Sequence, residues 1–391
     1  MQVNYDSLLS ENVKSIPPSG IRKFFDLMET MDGVISLGVG EPDFKTPWHI
    51  RDAGIFSLEK GFTKYTSNAG LSDLRKEICR YLERRFSLSY GDKEVIVTVG
   101  GSEAIDLAVR AMIDPGDEVI IPQPSFVCYA PIVILMGGKP VIIETKAENE
   151  FRLTAEELKN AITPRTKLLI LPYPNNPTGA IMERKHLESI AEVLSETNIM
   201  IVSDEIYAEL TYEGKHVSIA NIEGMKDRTI VVNGFSKCYS MTGWRMGYAA
   251  GPEPVIRQML KIHQYAIMCA PTTSQYAAIE ALREGDRDIE HMQQDYNQRR
   301  RLIIDGFRKI GLDCFEALGA FYVFPSIRST GLTSEEFCEK LLLRYKVAAI
   351  PGTAFGKSGE GHIRCCYAAS VEDIIEALRR IELFVNELKQ S

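Results

Sequence analysis

Lys237 stands just beyond a β-branched run, Thr229 to Val232, in the stretch Asn233-Gly234-Phe235-Ser236-Lys237. A surface lysine is a solvated cation. A lysine withdrawn from water at a strand end sheds its proton more easily, and the neutral amine can capture an electrophilic carbon. Arg245 follows within Met241-Thr242-Gly243-Trp244-Arg245-Met246-Gly247-Tyr248, and its planar fork of donors suits a phosphate. Upstream, the run Glu94 to Val99 ends in Gly100-Gly101-Ser102, with Ser102 placed to cap a helix. Free N–H groups and the positive end of a helix dipole make such a start an anion site.

Elements must bring these residues together. Strand signals recur at Glu94 to Val99, Glu118 to Ile121, Val141 to Glu144, Lys167 to Leu171, Ile199 to Val202 and Thr229 to Val232. Helical spacing fills the gaps: Ile105, Ala108, Val109 and Met112 in one segment, Phe126 to Leu135, a Thr154/Glu157 capping box, and Glu183 to Glu196. Short apolar strands alternating with helices predict an α/β fold with a mainly parallel sheet flanked by helices. Ligands in such sheets bind beyond the carboxyl ends of the strands. Gly100 to Ser102, Asn175 to Gly179, Asp204 to Tyr207 and Ser236-Lys237 all lie there, so they are expected to line one pocket. After Glu284 the pattern changes. A long charged helix, Asp288 to Ile310, precedes a strand-like Gly319 to Phe324 and helices at Thr333 to Tyr345 and Val371 to Leu388. The expectation is a large domain over 46–285, with 1–45 and 286–391 forming a smaller α+β domain.

Composition narrows the function. A chain of 391 residues is long enough for about two or three domains. Its 45% hydrophobic and 25% charged residues are ordinary for a folded globular protein. The formal net charge of −8 and the lack of a basic run argue against nucleic-acid partners. No apolar run is long enough to span a membrane, and the N-terminus lacks an apolar signal core, so a cytoplasmic location is expected. The eight cysteines form no Cys-x-x-Cys pair and read as thiols in a reducing compartment. The six histidines are scattered without zinc-ligand spacing, so no metal is expected.

The block around Lys237, with Asn175-Asn176-Pro177-Thr178-Gly179, Ser203-Asp204-Glu205-Ile206-Tyr207 and Gly361-His362-Ile363-Arg364, resembles the class I, fold-type I aminotransferases that use pyridoxal 5′-phosphate. The resemblance runs from about Gly20 to the C-terminus. It implies a homodimer in which a smaller domain closes over the site. It implies that Lys237 forms a Schiff base with the cofactor and then moves the substrate proton. Asp204 would pair with the pyridine nitrogen, and Tyr207 and Asn176 would bond the phenolic oxygen. Gly101, Ser102 and Arg245 would hold the phosphate, with Tyr65 reaching it across the dimer interface. Phe126 would stack on the ring. Arg364, Gly40 and Asn176 would take the substrate carboxylate.

The chain departs from that pattern in two ways. Many relatives carry serine three residues before the lysine; here that residue is Gly234, and Ser236 is the substitute donor. No extra arginine for a side-chain carboxylate can be placed, and Val39, Ile16 and Phe126 suggest an apolar lining. The implied reaction is transfer of an amino group from an aromatic or aliphatic L-amino acid to a 2-oxo acid such as 2-oxoglutarate. The competing chemistry on this scaffold is carbon–sulfur β-elimination or cyclisation.

Overall fold

The structure is a computed structural model that describes residues 3–18, 20 and 31–390. Its strands run β1 (Ile35–Ser36), β2 (Val95–Thr98), β3 (Glu118–Gln123), β4 (Lys139–Glu144), β5 (Thr166–Leu171), β6 (Met200–Asp204), β7 (Thr229–Gly234), β8 (Gly247–Ala250), β9 (Tyr322–Val323), β10 (Val347–Ala348), β11 (Ile350–Pro351) and β12 (Ile363–Cys366). The helices that matter below are α1 (Glu11–Lys14), α2 (Trp48–Glu59), α3 (Ser72–Phe86), α4 (Gly100–Met112), α5 (Tyr129–Leu135), α6 (Ala155–Ala161), α7 (Arg184–Ser195), α8 (Glu253–Ala266), α9 (Thr272–Glu284), α10 (Asp286–Ile310), α11 (Ser334–Tyr345) and α12 (Val371–Gln390).

Strands β2 to β8 form one seven-stranded sheet in the order β2-β8-β7-β6-β5-β3-β4. The pairs β4–β3, β3–β5, β5–β6 and β6–β7 are parallel. The fully apolar strands of the sequence lie in its middle, where helices cover both faces and no polar side is needed. Strand β8 runs against both β2 and β7. It escapes a reading by pattern, because Gly-Tyr-Ala-Ala carries no β-branched residue. Helix α4 buries Ala104, Ile105, Ala108 and Val109 against Val232 of β7 and Ala249 of β8. Burial of Ile105 and Val109 stabilises the packing by about 1.5–3 kcal/mol each. The Thr154/Glu157 capping box forms as expected at the start of α6.

Three expectations shift. Helix α4 starts at Gly100, so Ser102 lies inside its first turn and is not the cap. Gly100 takes φ +77°, which turns strand into helix three residues earlier than a Ser102 cap would, and the Glu103 carboxylate accepts the Val99 N–H instead. The helix expected from Phe126 begins only at Tyr129. Ser125 N–H is donated to Phe355 O at 3.1 Å, which holds the preceding segment extended. The expected strand Gly319 to Phe324 shrinks to β9. Gly319 and Ala320 donate their N–H groups to Gly179 O and Leu210 O, both at 2.9 Å, and so bind loops of the large sheet.

The C-terminal part builds a β11-β12-β9 antiparallel sheet, and its β10 takes β1 of the N-terminal segment as a parallel partner. With α10, α11 and α12 they enclose a core including Phe307, Phe321, Phe337, Ile363, Ile381 and Phe384. That core extends to Tyr207 and Leu210, just beyond β6, so the junction between the two parts is packed where the strand ends meet.

Candidate active site

A cavity of about 630 Å³ opens at the carboxyl ends of the central strands. Of the residues singled out in the sequence, Gly40, Gly101, Ser102, Phe126, Asn176, Asp204, Tyr207, Ser236, Lys237, Arg245 and Arg364 all line it. Tyr65 does not; it is 80% exposed. Val39 and Phe126 contribute to the lining, but Ile16, just past α1, does not.

Lys237 sits in the turn after β7, and its Nζ donates to Gly40 O at 2.7 Å. Burial lowers its pKa to about 8, with the Arg364 and Arg245 charges acting in the same direction. The amine is therefore far easier to deprotonate than a surface lysine. Asp204 ends β6. Its Oδ2 accepts from Tyr129 OH at 2.7 Å and its Oδ1 from Ile206 N–H at 3.2 Å. Burial pushes the carboxyl pKa up, and those two donors oppose it. Tyr207 shares a hydroxyl–hydroxyl bond of 2.8 Å with Tyr322.

The Arg364 guanidinium is buried at the floor, on β12. It donates to Asn176 Oδ1 at 3.0 Å and Gly38 O at 2.5 Å, and it lies between the rings of Tyr322 and Phe355. Its Nε–H is buried without a partner among the described residues, a spare donor of the kind a carboxylate accepts.

At the other end, Arg245 adopts φ +54° and donates to Thr242 O at 3.1 Å. Its guanidinium lies over the start of α4: a Cβ at Gly100 would come within 2.5 Å of Nη2. Guanidinium, the Ser102 hydroxyl and the first-turn N–H groups of a long helix together make a cradle for a dianion. Backbone contact explains the missing serine. A Cβ at Gly234 would meet Gly247 Cα and Met246 O at 2.9 Å each, and a Cβ at Gly247 would meet the Gly100 carbonyl carbon at 2.4 Å. Glycines thus let β7, β8 and the start of α4 press together, and Ser236 lines the cavity with its hydroxyl-bearing side chain.

The donor set fits a phosphorylated aldehyde with a basic ring nitrogen. There is a dianion cradle, a deprotonable amine, a buried carboxylate and a flanking phenol. Tyr129 and Tyr322 also belong to the site and were missed in the sequence. Each is an ordinary core tyrosine by pattern, and only the fold brings it to its partner. Among the described residues no group of histidine, cysteine and acidic side chains could hold a metal ion, and no helix is long and apolar enough to cross a membrane.

Comparison with known proteins gives the same answer over nearly the whole chain. The family described as Aminotransferase class I and II matches residues 32–381. A putative aminotransferase of Bacillus subtilis, YugH, is 53% identical over 97% of this chain and 99% of its own. An aspartate aminotransferase of Pyrococcus abyssi is 45% identical over the same shares. The crystal structure of an aromatic aminotransferase from Pyrococcus horikoshii superposes with a TM-score of 0.90 at 44% identity, covering 94% of this chain and 100% of that one. A Thermus thermophilus aspartate aminotransferase with maleate superposes with a TM-score of 0.92 at 38% identity, covering 96% and 99%. The elimination and cyclisation alternative is not favoured by these relatives. The chain belongs to the class I and II aminotransferases and is a pyridoxal 5′-phosphate-dependent aminotransferase of fold type I.

Proposed function

We propose that this aminotransferase takes the amino group of an aromatic or aliphatic L-amino acid and passes it to a 2-oxo acid such as 2-oxoglutarate. The observation that carries the reading is the meeting of Lys237, Asp204, Arg245 and Arg364, from four distant stretches, in one cavity. The three cations of the lining are Lys237, Arg245 and Arg364, and each has a task below. Among the described residues none is left over for a side-chain carboxylate, and Val39, Phe126, Pro174, Ile206 and Tyr322 supply apolar surface. The named relatives include both aspartate and aromatic enzymes, so the lining, not the likeness, supports the aromatic or aliphatic choice.

When bound, pyridoxal phosphate supplies an aldehyde carbon and a ring that accepts electrons. In this reading Lys237 would hold that carbon through its neutral amine, and the same amine is placed to take a proton from the substrate α-carbon. Asp204 keeps a proton on the ring nitrogen. A cation there would counter the upward push of burial on the carboxyl. Tyr207 and Asn176 bond the phenolic oxygen, and Phe126 lies against the ring. Gly101, Ser102, Ser236 and Arg245 hold the phosphate. Arg364, Asn176 and Gly40 orient the substrate carboxylate.

A homodimer completes the reading. Trp48, Phe56, Phe62, Tyr65 and Tyr265 are large side chains with apolar surface left exposed. Thr272 Oγ1 to Lys64 O, at 2.9 Å, ties the Tyr65 segment to α9. A second copy would cover this face, and Tyr65 of the partner subunit would reach the phosphate. We assign 46–285 to a cofactor-holding domain, with 1–45 and 286–391 forming the domain that closes over it. The cytoplasm is the assigned compartment, in keeping with eight free thiols.

The test is product stoichiometry. Loaded enzyme mixed with phenylalanine alone should release one oxo acid per site and stop; 2-oxoglutarate should make release continuous. Continuous release of ammonia and an oxo acid from a thioether amino acid without an acceptor would replace this reading with elimination.

A further inference from the structure

Tyr322 touches three parts of the site at once. Its hydroxyl lies 2.8 Å from that of Tyr207. Its ring supports the Arg364 guanidinium, 4.6 Å from the centroid. Its hydroxyl also presses on Gly40, where an added Cβ would come within 2.5 Å, and Gly40 O is the acceptor for Lys237 Nζ. Tyr322 is 1% exposed and sits on β9, in the C-terminal part, whereas Tyr207 lies just past β6 in the large sheet.

We infer that Tyr322 is a positioning residue for the reaction, whose hydroxyl aims the Tyr207 proton at the phenolic oxygen of the cofactor. The inference rests on the reading that Tyr207 faces that oxygen. A phenol has one proton to donate. If Tyr207 gives its proton to the phenolic oxygen, then the 2.8 Å bond requires Tyr322 to be the donor and Tyr207 the acceptor. Burial pushes both phenols above their ordinary pKa, so both protons stay in place. The result is a directed chain, Tyr322 to Tyr207 to the phenolic oxygen, in which each bond polarises the next. The chain also crosses from the C-terminal part to the large sheet, so it is fully formed only when the two are packed together.

The test is the pH titration of the visible absorbance of the pyridoxal phosphate-loaded protein. Tyr322→Phe keeps the ring and removes only the hydroxyl. Weaker donation from Tyr207 leaves the phenolic oxygen more basic, so the nearby nitrogen of Lys237 holds its proton to higher pH. The titration midpoint should rise by about 0.5–1 pH unit. Tyr207→Phe should raise it further, and adding Tyr322→Phe to Tyr207→Phe should add nothing. The KM for the amino acid should rise more in Tyr322→Leu, which also removes the ring under Arg364, than in Tyr322→Phe. A midpoint in Tyr322→Phe equal to that of the unaltered protein, while Tyr207→Phe shifts, overturns the inference alone. An unaltered protein without a titrating band overturns the reading beneath it as well.

Discussion

Tyr129 donates its hydroxyl to Asp204 Oδ2 at 2.7 Å, and both side chains are buried. The bond supplies one of the two donors that keep a carboxylate tolerable in that position. Tyr129→Phe removes it and leaves the carboxylate with only the Ile206 N–H. We expect a loss of about 1.5–3 kcal/mol in unfolding free energy at neutral pH, the worth of a hydrogen bond to a charged group, measured by urea denaturation. Asp204→Asn should keep the fold and lower kcat by about 100-fold or more, because an amide cannot keep the ring nitrogen protonated.

Arg364 tests the carboxylate grip. Arg364→Lys retains the charge but loses the fork and the flat contact with Tyr322 and Phe355. The kcat/KM for the amino acid should fall by about 10- to 100-fold, the equivalent of one charge-assisted hydrogen bond. Binding of pyridoxal phosphate, followed by absorbance, should change little.

Lys237 gives a pH signature. Its ordinary pKa of 10.5 is lowered to about 8 by burial. Cofactor capture by the apoprotein needs the neutral amine, so its rate should rise with pH and level off above about 8. The sign for stability follows from the same shift. Between pH 8 and 10.5 the unfolded chain binds the extra proton, so apoprotein stability contributed by this group rises with pH across that window. Below it, the buried ammonium is a cost. Lys237→Ala should therefore remove this pH dependence in thermal unfolding and stabilise the apoprotein at neutral pH.

Two glycines are fixed by contact. Gly234→Ser would restore the hydroxyl many relatives carry, but its Cβ meets backbone at 2.9 Å. It should cost about 1–3 kcal/mol of stability without improving cofactor affinity. Ser236→Ala should weaken cofactor binding several-fold. Gly40→Ala should be destabilising through Tyr322 OH, and Tyr322→Phe should relieve it, a non-additivity that a double-mutant cycle reads directly.

The fold and most of the candidate site were legible in the sequence for a physical reason. The middles of strands β5, β6 and β7 are apolar on both faces, and the polar residues at or just past their carboxyl ends, Asp204, Ser236 and Lys237, have nowhere to go but that edge of the sheet. Tyr129 and Tyr322 were not legible. Their partners lie 75 and 115 residues away, and a tyrosine within an apolar stretch reads as core until the fold supplies its neighbour. The start of α4 was misplaced because Gly100 can take a positive φ that no pattern of side chains announces. The reason for Gly234 lies in a backbone contact with β8, a strand without a strand-like sequence.

The most direct measurement is the visible absorbance of the loaded protein while L-amino acids are added one at a time, without an oxo-acid acceptor. The account predicts that the visible band converts to a near-ultraviolet one in a single stoichiometric turn, fastest with aromatic or aliphatic donors, and that Lys237→Ala abolishes both the band and its conversion. A Lys237→Ala protein with the same band and turnover, or a native protein that never acquires the band when supplied with pyridoxal phosphate, would contradict it.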